Sequence, residues 1–297
     1  MDILFHTSQI FYILFLVIFI LLLFELLFTF SFFNKSNGIV KKTKNTMQTT
    51  NDDTNECFST ENYSLIILNW KRPKNVLLIV NELKKCDYIN EIIISNGKES
   101  TKLSFPDEKI KCQDDFGSIN DNYGLDRRFL NGLKATNQKL IIIDDDLFIT
   151  CSSLYKIIDE YNKDTSRIVG IFGRNFSKDF SYDMKNRYGR VDIVLTRLLV
   201  MDKKLCSLFF YCRPMIQDIY SLGVPYGNGE DIFLSFISLL YYRRKNYCMQ
   251  NIPYKNLSSE HAISSLDGHA SYRTKLCKFL NEKKNELNLL ISQFHNI

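Results

Sequence analysis

The chain lacks the common signatures of nucleotide and metal chemistry. No Gly-rich P-loop and no GxGxxG run occurs in its 297 residues. This excludes the usual kinase and dinucleotide-binding arrangements. The eight cysteines, at 57, 86, 112, 151, 206, 212, 248 and 277, never pair as CxxC, so a zinc site is not expected. An even number permits disulfides in an oxidising compartment, with the connectivity left open. There is one Trp, and Lys and Arg are scattered without a stripe on a net charge of +5. A nucleic acid polymer is therefore not an expected partner. No internal repeat is present.

What the sequence does have is enough apolar material for a core, with 45% hydrophobic and 24% charged residues. One apolar run is set apart from the rest. Residues 10–33 hold a single charge, Glu25, and at about 1.5 Å per residue they exceed a hydrocarbon core of about 30 Å. No Lys or Arg precedes the run and no small-residue cleavage site follows it, so a single-span anchor is expected rather than a cleaved signal. Residues 1–9 are then a short tail and 34–60 a polar, flexible stem. The domain proper is expected at 61–297, with a nucleotide-binding half over 61–150 and an acceptor half over 151–297. Lys35, Lys41, Lys42 and Lys44 follow the run, and the positive-inside rule taken alone would leave that side in the cytoplasm.

Within the domain, Ser64–Asn69 and Glu91–Gly97 read as buried strands around a helix that begins near Pro73. That is the opening of a doubly wound α/β sheet. Lys139–Ile143 is a third buried strand, and it stops at Asp144, Asp145 and Asp146. A buried strand must end where it meets carboxylates, because burying a lone charge is costly. The triplet therefore lies at the carboxyl end of a central strand, where open α/β sheets bind ligands. Crowded carboxylates repel unless a cation joins them, and hard divalent cations bridge carboxylates to phosphates. The competing reading is a solvated turn with Asp146 capping the next helix. Further on, Leu154–Lys163 reads as a helix, Arg167–Phe172 and Val191–Thr196 as strands, and Ile232–Tyr242 as a helix. Glu230 and Asp231 open that last helix, either as dipole partners or as acids facing a substrate. A polar amphipathic helix is expected from about Thr274.

Together these segments resemble a GT-A glycosyltransferase, and more closely the exostosin-like family, glycosyltransferase family 64. The resemblance rests on Leu68-Asn69-Trp70-Lys71-Arg72-Pro73, Leu125-Asp126-Arg127-Arg128-Phe129 and Ile143-Asp144-Asp145-Asp146. It continues in Asn228-Gly229-Glu230-Asp231-Ile232 and in the segment from His269 to Cys277. It implies a mixed, mostly parallel sheet flanked by helices. It also implies Mn²⁺- or Mg²⁺-dependent, retaining transfer from a UDP-sugar, with N-acetylhexosamine the expected sugar, to a glycan or glycoprotein acceptor. Asp146 would be the main metal ligand, with Asp144 and, as another candidate, His269; His261 is weaker. Asn69, Arg72, Asn96, Arg128, Asp144 and Asp145 would hold the donor. Asp231 would sit at the reacting sugar and Arg273 at the leaving diphosphate. Arg128 and Arg273 as plain ion pairs, and His269 in a structural role, are the alternatives.

The resemblance also implies a type II protein with its domain in the Golgi or endoplasmic reticulum lumen, against the charge rule. Sequons at Asn34, Asn62, Asn175 and Asn256 agree with lumenal exposure. Two positions depart from the family. Gly229 replaces a Cys, so Cys277 would lack its disulfide partner, and Arg197 replaces a small residue beside the acceptor. The chain would correspond to the short, single-domain members. Two other functional readings stay open: an inverting enzyme with Asp231 as general base, and an inactive membrane-anchored scaffold.

Overall fold

Tyr63–Asn69 (β1) is buried at every position, as a strand must be when helices cover both faces of its sheet. The computed structural model describes residues 61–222, 228–257 and 266–294. The expected anchor at 10–33, the stem at 34–60 and His261 lie outside those residues. Among the described residues, no helix is long and apolar enough to cross a membrane.

β1 is followed by helix α1 (Pro73–Leu83) and strand β2 (Ile89–Asn96). Next come β3 (Ile110–Asp114), α2 (Ser118–Tyr123), α3 (Arg127–Lys134) and β4 (Lys139–Ile143). A short strand, β5 (Leu147–Phe148), leads into α4 (Cys151–Lys163). Four short strands follow: β6 (Val169–Gly170), β7 (Gly173–Arg174), β8 (Gly189–Val191) and β9 (Ile193–Val194). After β10 (Leu198–Asp202) come α5 (Lys204–Cys212), α6 (Gln217–Tyr220) and α7 (Glu230–Tyr242). The described chain ends with β11 (Asn246–Cys248), β12 (Lys255–Asn256), α8 (His269–Glu282) and α9 (Lys284–Phe294).

The main sheet has the order β3-β2-β1-β4-β10-β6-β11-β8. β1 is parallel to both β2 and β4, and β3 to β2. β10 enters antiparallel between β4 and β6. The sheet is thus mixed and mostly parallel, as expected. Alternation along the strands gives it two cores. Leu65, Ile67, Ile141 and Ile143 pack towards α1 and α4. Ile66, Leu140 and Ile142 pack towards α3, α5, α7, α8 and α9.

Register fixes the functional edge. Ile67 pairs with Ile94 on one side and Ile143 on the other, and Asn69 pairs with Asn96. Two residues past Ile143, Asp145 is therefore level with both asparagines. Asp146 caps no helix, because the N-cap of α4 is Thr150, whose hydroxyl accepts from the Ser153 amide. A disulfide ties Cys86, just beyond α1, to Cys151 across 65 residues. Closing a loop of that size contributes about 4 kcal/mol in the chain-entropy account.

Several elements differ from the sequence expectation. The strand at Arg167–Phe172 shrinks to Val169–Gly170, and Val191–Thr196 divides between β8 and β9, which lie in different sheets. β10 begins just after Arg197, where no strand was expected. The last amphipathic segment becomes helical at His269 rather than Thr274 and runs on, after a turn, as α9. Gly268, at φ 77°, supplies the left-handed residue that opens it.

Candidate active site

Each acid of the triplet holds its own arginine. Arg128 Nη1 donates to Asp144 Oδ1 at 2.7 Å. Arg72 Nη1 donates to Asp145 Oδ1 at 2.5 Å. Arg197 Nε donates to Asp146 Oδ1 at 3.0 Å. The three guanidiniums arrive from different elements. Arg72 precedes Pro73 at the start of α1, and Arg128 lies in the first turn of α3. Arg197 stands at the mouth of β10, where the antiparallel register sets Leu198 against Ile143. The Asp144 amide donates to the Arg197 carbonyl at 3.0 Å, which locks that approach.

Asp145 is the most enclosed of the three, at 8% exposure. Burial raises its carboxyl pKa to about 6, with Asp144 and Asp146 adding to the rise and Arg72 opposing it. Arg128 is also buried. Burial works against its charge, but Asp144 and Glu230 outweigh that and hold its pKa above the ordinary value. Glu230 lies 3.4 Å from Arg128 and accepts from the Thr196 hydroxyl at 2.9 Å. Burial pushes its pKa upward, against the pull of Arg128.

A second buried pair begins where α7 and α8 meet. Arg273 Nη2 donates to Asp231 Oδ2 at 2.5 Å and to the Tyr182 hydroxyl at 3.3 Å. The guanidinium carbon lies 4.5 Å from the centre of the Tyr182 ring. Arg273 Nη1 reaches Asn228 Oδ1 at 3.5 Å, and Asn228 Nδ2 lies 3.2 Å from His269 Nδ1. Burial and then Arg273 lower the His269 pKa, so the ring is neutral near pH 7.

On the far side of the triplet, Asn69 Nδ2 donates to Asn96 Oδ1 at 2.8 Å. Arg127 lies here too, with its guanidinium carbon 5.7 Å from the centre of the Trp70 ring. Burial lowers its pKa to about 10. Its Nη1 has no hydrogen-bond partner among the described residues. A Cβ on Gly97 would come within 1.9 Å of that guanidinium, so only glycine permits the approach. Asp126 anchors the segment from below. It accepts from Arg213 at 2.8 Å and from the Tyr220 hydroxyl at 3.0 Å, and burial raises its pKa to about 7.

The edge thus brings together Asn69, Arg72, Asn96, Arg128, Asp144, Asp145 and Asp146. Asp231 and Arg273 form one pair with each other, and His269 joins them through Asn228. The expected metal set of Asp144, Asp146 and His269 does not gather. Among the described residues no three His, Cys, Asp or Glu side chains form a group that would hold a metal ion. The donor set still fits a hard divalent cation of the kind held by one or two carboxylates and completed by phosphate oxygens. Asp144 and Asp146 are partly exposed, and each arginine engages only their Oδ1 atoms. Sequence reasoning overlooked Arg127, Tyr182 and the meeting of Arg197 with Asp146. The signal for the last was the apolar run Leu198–Met201 directly after Arg197.

The sequence profile of the glycosyl transferase family 64 domain matches residues 63–296. The chain belongs to this family. It is a glycosyltransferase domain with a mixed α/β fold. It is 25% identical over 182 residues to glucosamine inositolphosphorylceramide transferase 1 of rice, in both the indica and japonica subspecies. That match covers 59% of this chain and 24% of the rice protein, so the chain spans about a quarter of the length of those relatives. Among solved structures it is similar to a mannosyltransferase of Pyrobaculum calidifontis, in complex with GDP-Man and Mn²⁺. There the TM-score is 0.50 and the identity 11%, over 75% of this chain and 64% of the other. The likeness is one of fold. Gly229, at φ 105°, holds a backbone conformation that L side chains rarely adopt. Cys277 is a free, buried thiol.

Proposed function

We propose that this chain transfers a sugar, an N-acetylhexosamine in particular, from a UDP-sugar to a glycan acceptor with retention of configuration. The observation that carries the reading is the Asp144–Asp146 strand end with one guanidinium on each acid. A departing nucleotide gains negative charge. Catalysis requires groups that meet that charge more strongly in the transition state than before it. Arg72, Arg128 and Arg197 stand where a diphosphate reaching the triplet would meet their forked donors. Asp146, with Asp144, would hold Mn²⁺ or Mg²⁺. A bound divalent cation would supply Lewis-acid neutralisation of the leaving diphosphate. Arg127 Nη1 and Asn69 Oδ1, which lack partners among the described residues, offer polar groups for the nucleoside beside the ring of Trp70, while Asn96 is buried and spends its amide on Asn69, Leu103 and Asp114 as a brace.

The name of the rice relatives supports an amino sugar. The cation in the Pyrobaculum complex supports metal dependence, while its guanine nucleotide leaves the uridine to be tested. Asp231 is clamped by Arg273 and 5% exposed. A general base needs to reach an acceptor hydroxyl, so the clamp favours the retaining reading over the inverting one. For the cellular setting, we infer a single-pass anchor at 10–33 and a lumenal domain. The Cys86–Cys151 disulfide suits an oxidising compartment, and Asn62 is an exposed sequon.

The deciding experiment is calorimetric titration of UDP and GDP into the protein, with and without Mn²⁺, followed by a panel of UDP-sugars. UDP binding that requires Mn²⁺ and is lost in Asp146→Asn supports the reading. Preference for GDP would move the donor class. No binding of either nucleotide to folded protein would favour an inactive scaffold.

A further inference from the structure

Arg197 is a built-in guanidinium rather than a casual surface partner. Its backbone is stapled to Asp144, whose N–H donates a hydrogen bond to the Arg197 carbonyl. Its Nη2 donates to Asn256 Oδ1 at 2.7 Å, while Nε engages Asp146. The Phe172 ring centre lies 4.8 Å from the guanidinium carbon, and Tyr254 packs edge-on against Phe172 at 5.2 Å. The Leu257 amide donates to the Asp146 carbonyl at 2.8 Å, so both partners of the ion pair are braced by the same β5–β12 ladder. The arginine keeps 25% side-chain exposure, enough to leave without unfolding its surroundings.

We propose that Arg197 is the resident counter-ion of Asp146, and that it makes capture of the divalent cation conditional on the nucleotide's diphosphate. The proposal rests on the nucleotide-sugar reading given above. A bare cation arriving at the other oxygen of Asp146 has to sit beside the guanidinium held on Oδ1, charge against like charge. Arg128 holds Asp144 in the same way and Arg72 holds Asp145, and among the described residues no three His, Cys, Asp or Glu side chains form a ready metal site. A diphosphate changes the balance. It brings several negative charges, completes the oxygen shell of the cation, and accepts the displaced guanidinium through a charge-assisted fork. Metal and nucleotide therefore bind as a pair, and by reciprocity each tightens the other by the same factor. Removing Arg197 leaves Asp146 open to the metal alone.

The test measures Mn²⁺ binding to the chain of residues 1–297 in detergent, by electron paramagnetic resonance and calorimetry, without nucleotide and then with UDP. Arg197→Gln is expected to bind Mn²⁺ alone about tenfold more tightly than wild type, and the factor by which UDP tightens Mn²⁺ falls by about the same amount. Arg197→Lys, which keeps the charge, stays near wild type. Adding Asp146→Asn to Arg197→Gln removes the gain and assigns it to that carboxylate. Asn256→Ala frees the tip of the guanidinium while keeping the arginine, and shifts Mn²⁺ binding in the same direction by less. It serves as the second variant if Arg197→Gln folds poorly. Equal Mn²⁺ affinity in wild type and Arg197→Gln, or none in either, overturns the proposal. Failure of UDP to bind wild type in the presence of Mn²⁺ counts against the donor class instead, and the metal-alone comparison still decides the role of Arg197.

Discussion

Two sets of Arg–Asp pairs lie in this molecule, and they differ in one physical respect. At the strand end, the side chains of Asp144 and Asp146 are 31% and 18% exposed and those of Arg72 and Arg197 19% and 25%, while Asp145 at 11% and Arg128 at 4% are enclosed. Between α7 and α8, Asp231 is 7% exposed and Arg273 6%. Partly exposed pairs exchange partners cheaply, since water and ions already compete for them. A buried pair does not, because losing one member strands a charge in low dielectric. In the proposed function, the Arg197–Asp146 pair of the first set, with both members partly exposed, would trade its arginine for a cation and a diphosphate. The second is a fixed frame that presents its acid at one angle.

The largest effect should therefore come from the buried pair. Arg273→Ala leaves Asp231 unpaired and is expected to cost about 3–5 kcal/mol of stability, with activity lost alongside. Thermal unfolding and donor hydrolysis, measured on the same preparation, check this. A melting curve that does not move would erase the distinction between the two sets. Asp146→Asn should do the reverse. Losing the acid proposed to hold the cation is expected to lower transfer by about 10²–10³, while stability changes by about 1 kcal/mol or less. A large drop in stability there would make the strand end a frame as well.

The first half of the domain was legible because its strands are buried on both faces. Ser64–Asn69, Glu91–Gly97 and Lys139–Ile143 show as aliphatic runs, and the place of the Asp triplet follows from where the last run stops. The remaining strands hid their plan. β3 keeps only Ile110 fully buried and has no apolar run to show. β6 and β7 are two residues each. β10 is apolar from Leu198 to Met201, but its antiparallel insertion beside β4 is a tertiary choice that periodicity does not encode. That insertion is what carries Arg197 to Asp146. The partners of the other arginines are likewise long-range: Arg72 meets Asp145 from 73 residues away. Charge type was readable from the sequence, and pairing was not.

A smaller effect concerns Asp145, the enclosed acid of the strand end. Asp145 has its pKa raised above the ordinary 3.8 to about 6. The folded state therefore binds more protons than the unfolded chain between about pH 4 and 6, and its stability falls as pH rises through that window. Donor capture needs the opposite state, a carboxylate free to hold Arg72 and meet the site's cations. kcat/KM is then expected to fall as pH drops through about 6. In Asp145→Asn the stability change over that window should disappear, with the melting temperature at pH 7 equal to or above wild type. A wild-type rate flat down to pH 5 would remove Asp145 from the titrating part of the site.

The smallest effect concerns His269, which borders the buried frame. Arg273 Nη1 donates to Asn228 Oδ1, which turns the amide Nδ2 towards His269 Nδ1. An amide N–H only donates, so Nδ1 accepts and the ring proton lies on Nε2. A metal-bound histidine needs a bare ring nitrogen, with the other one donating to an acceptor. Here the nitrogen facing Asn228 is already filled and the other is protonated, so the ring acts as a brace. His269→Gln should leave Mn²⁺ affinity in the presence of UDP unchanged and cost about 1 kcal/mol, the worth of one hydrogen bond. Electron paramagnetic resonance with ¹⁵N-labelled histidine reads the same point directly. A nitrogen coupling to bound Mn²⁺ would require Asn228 to turn over, and with it the contact that holds Arg273 in line with Asp231.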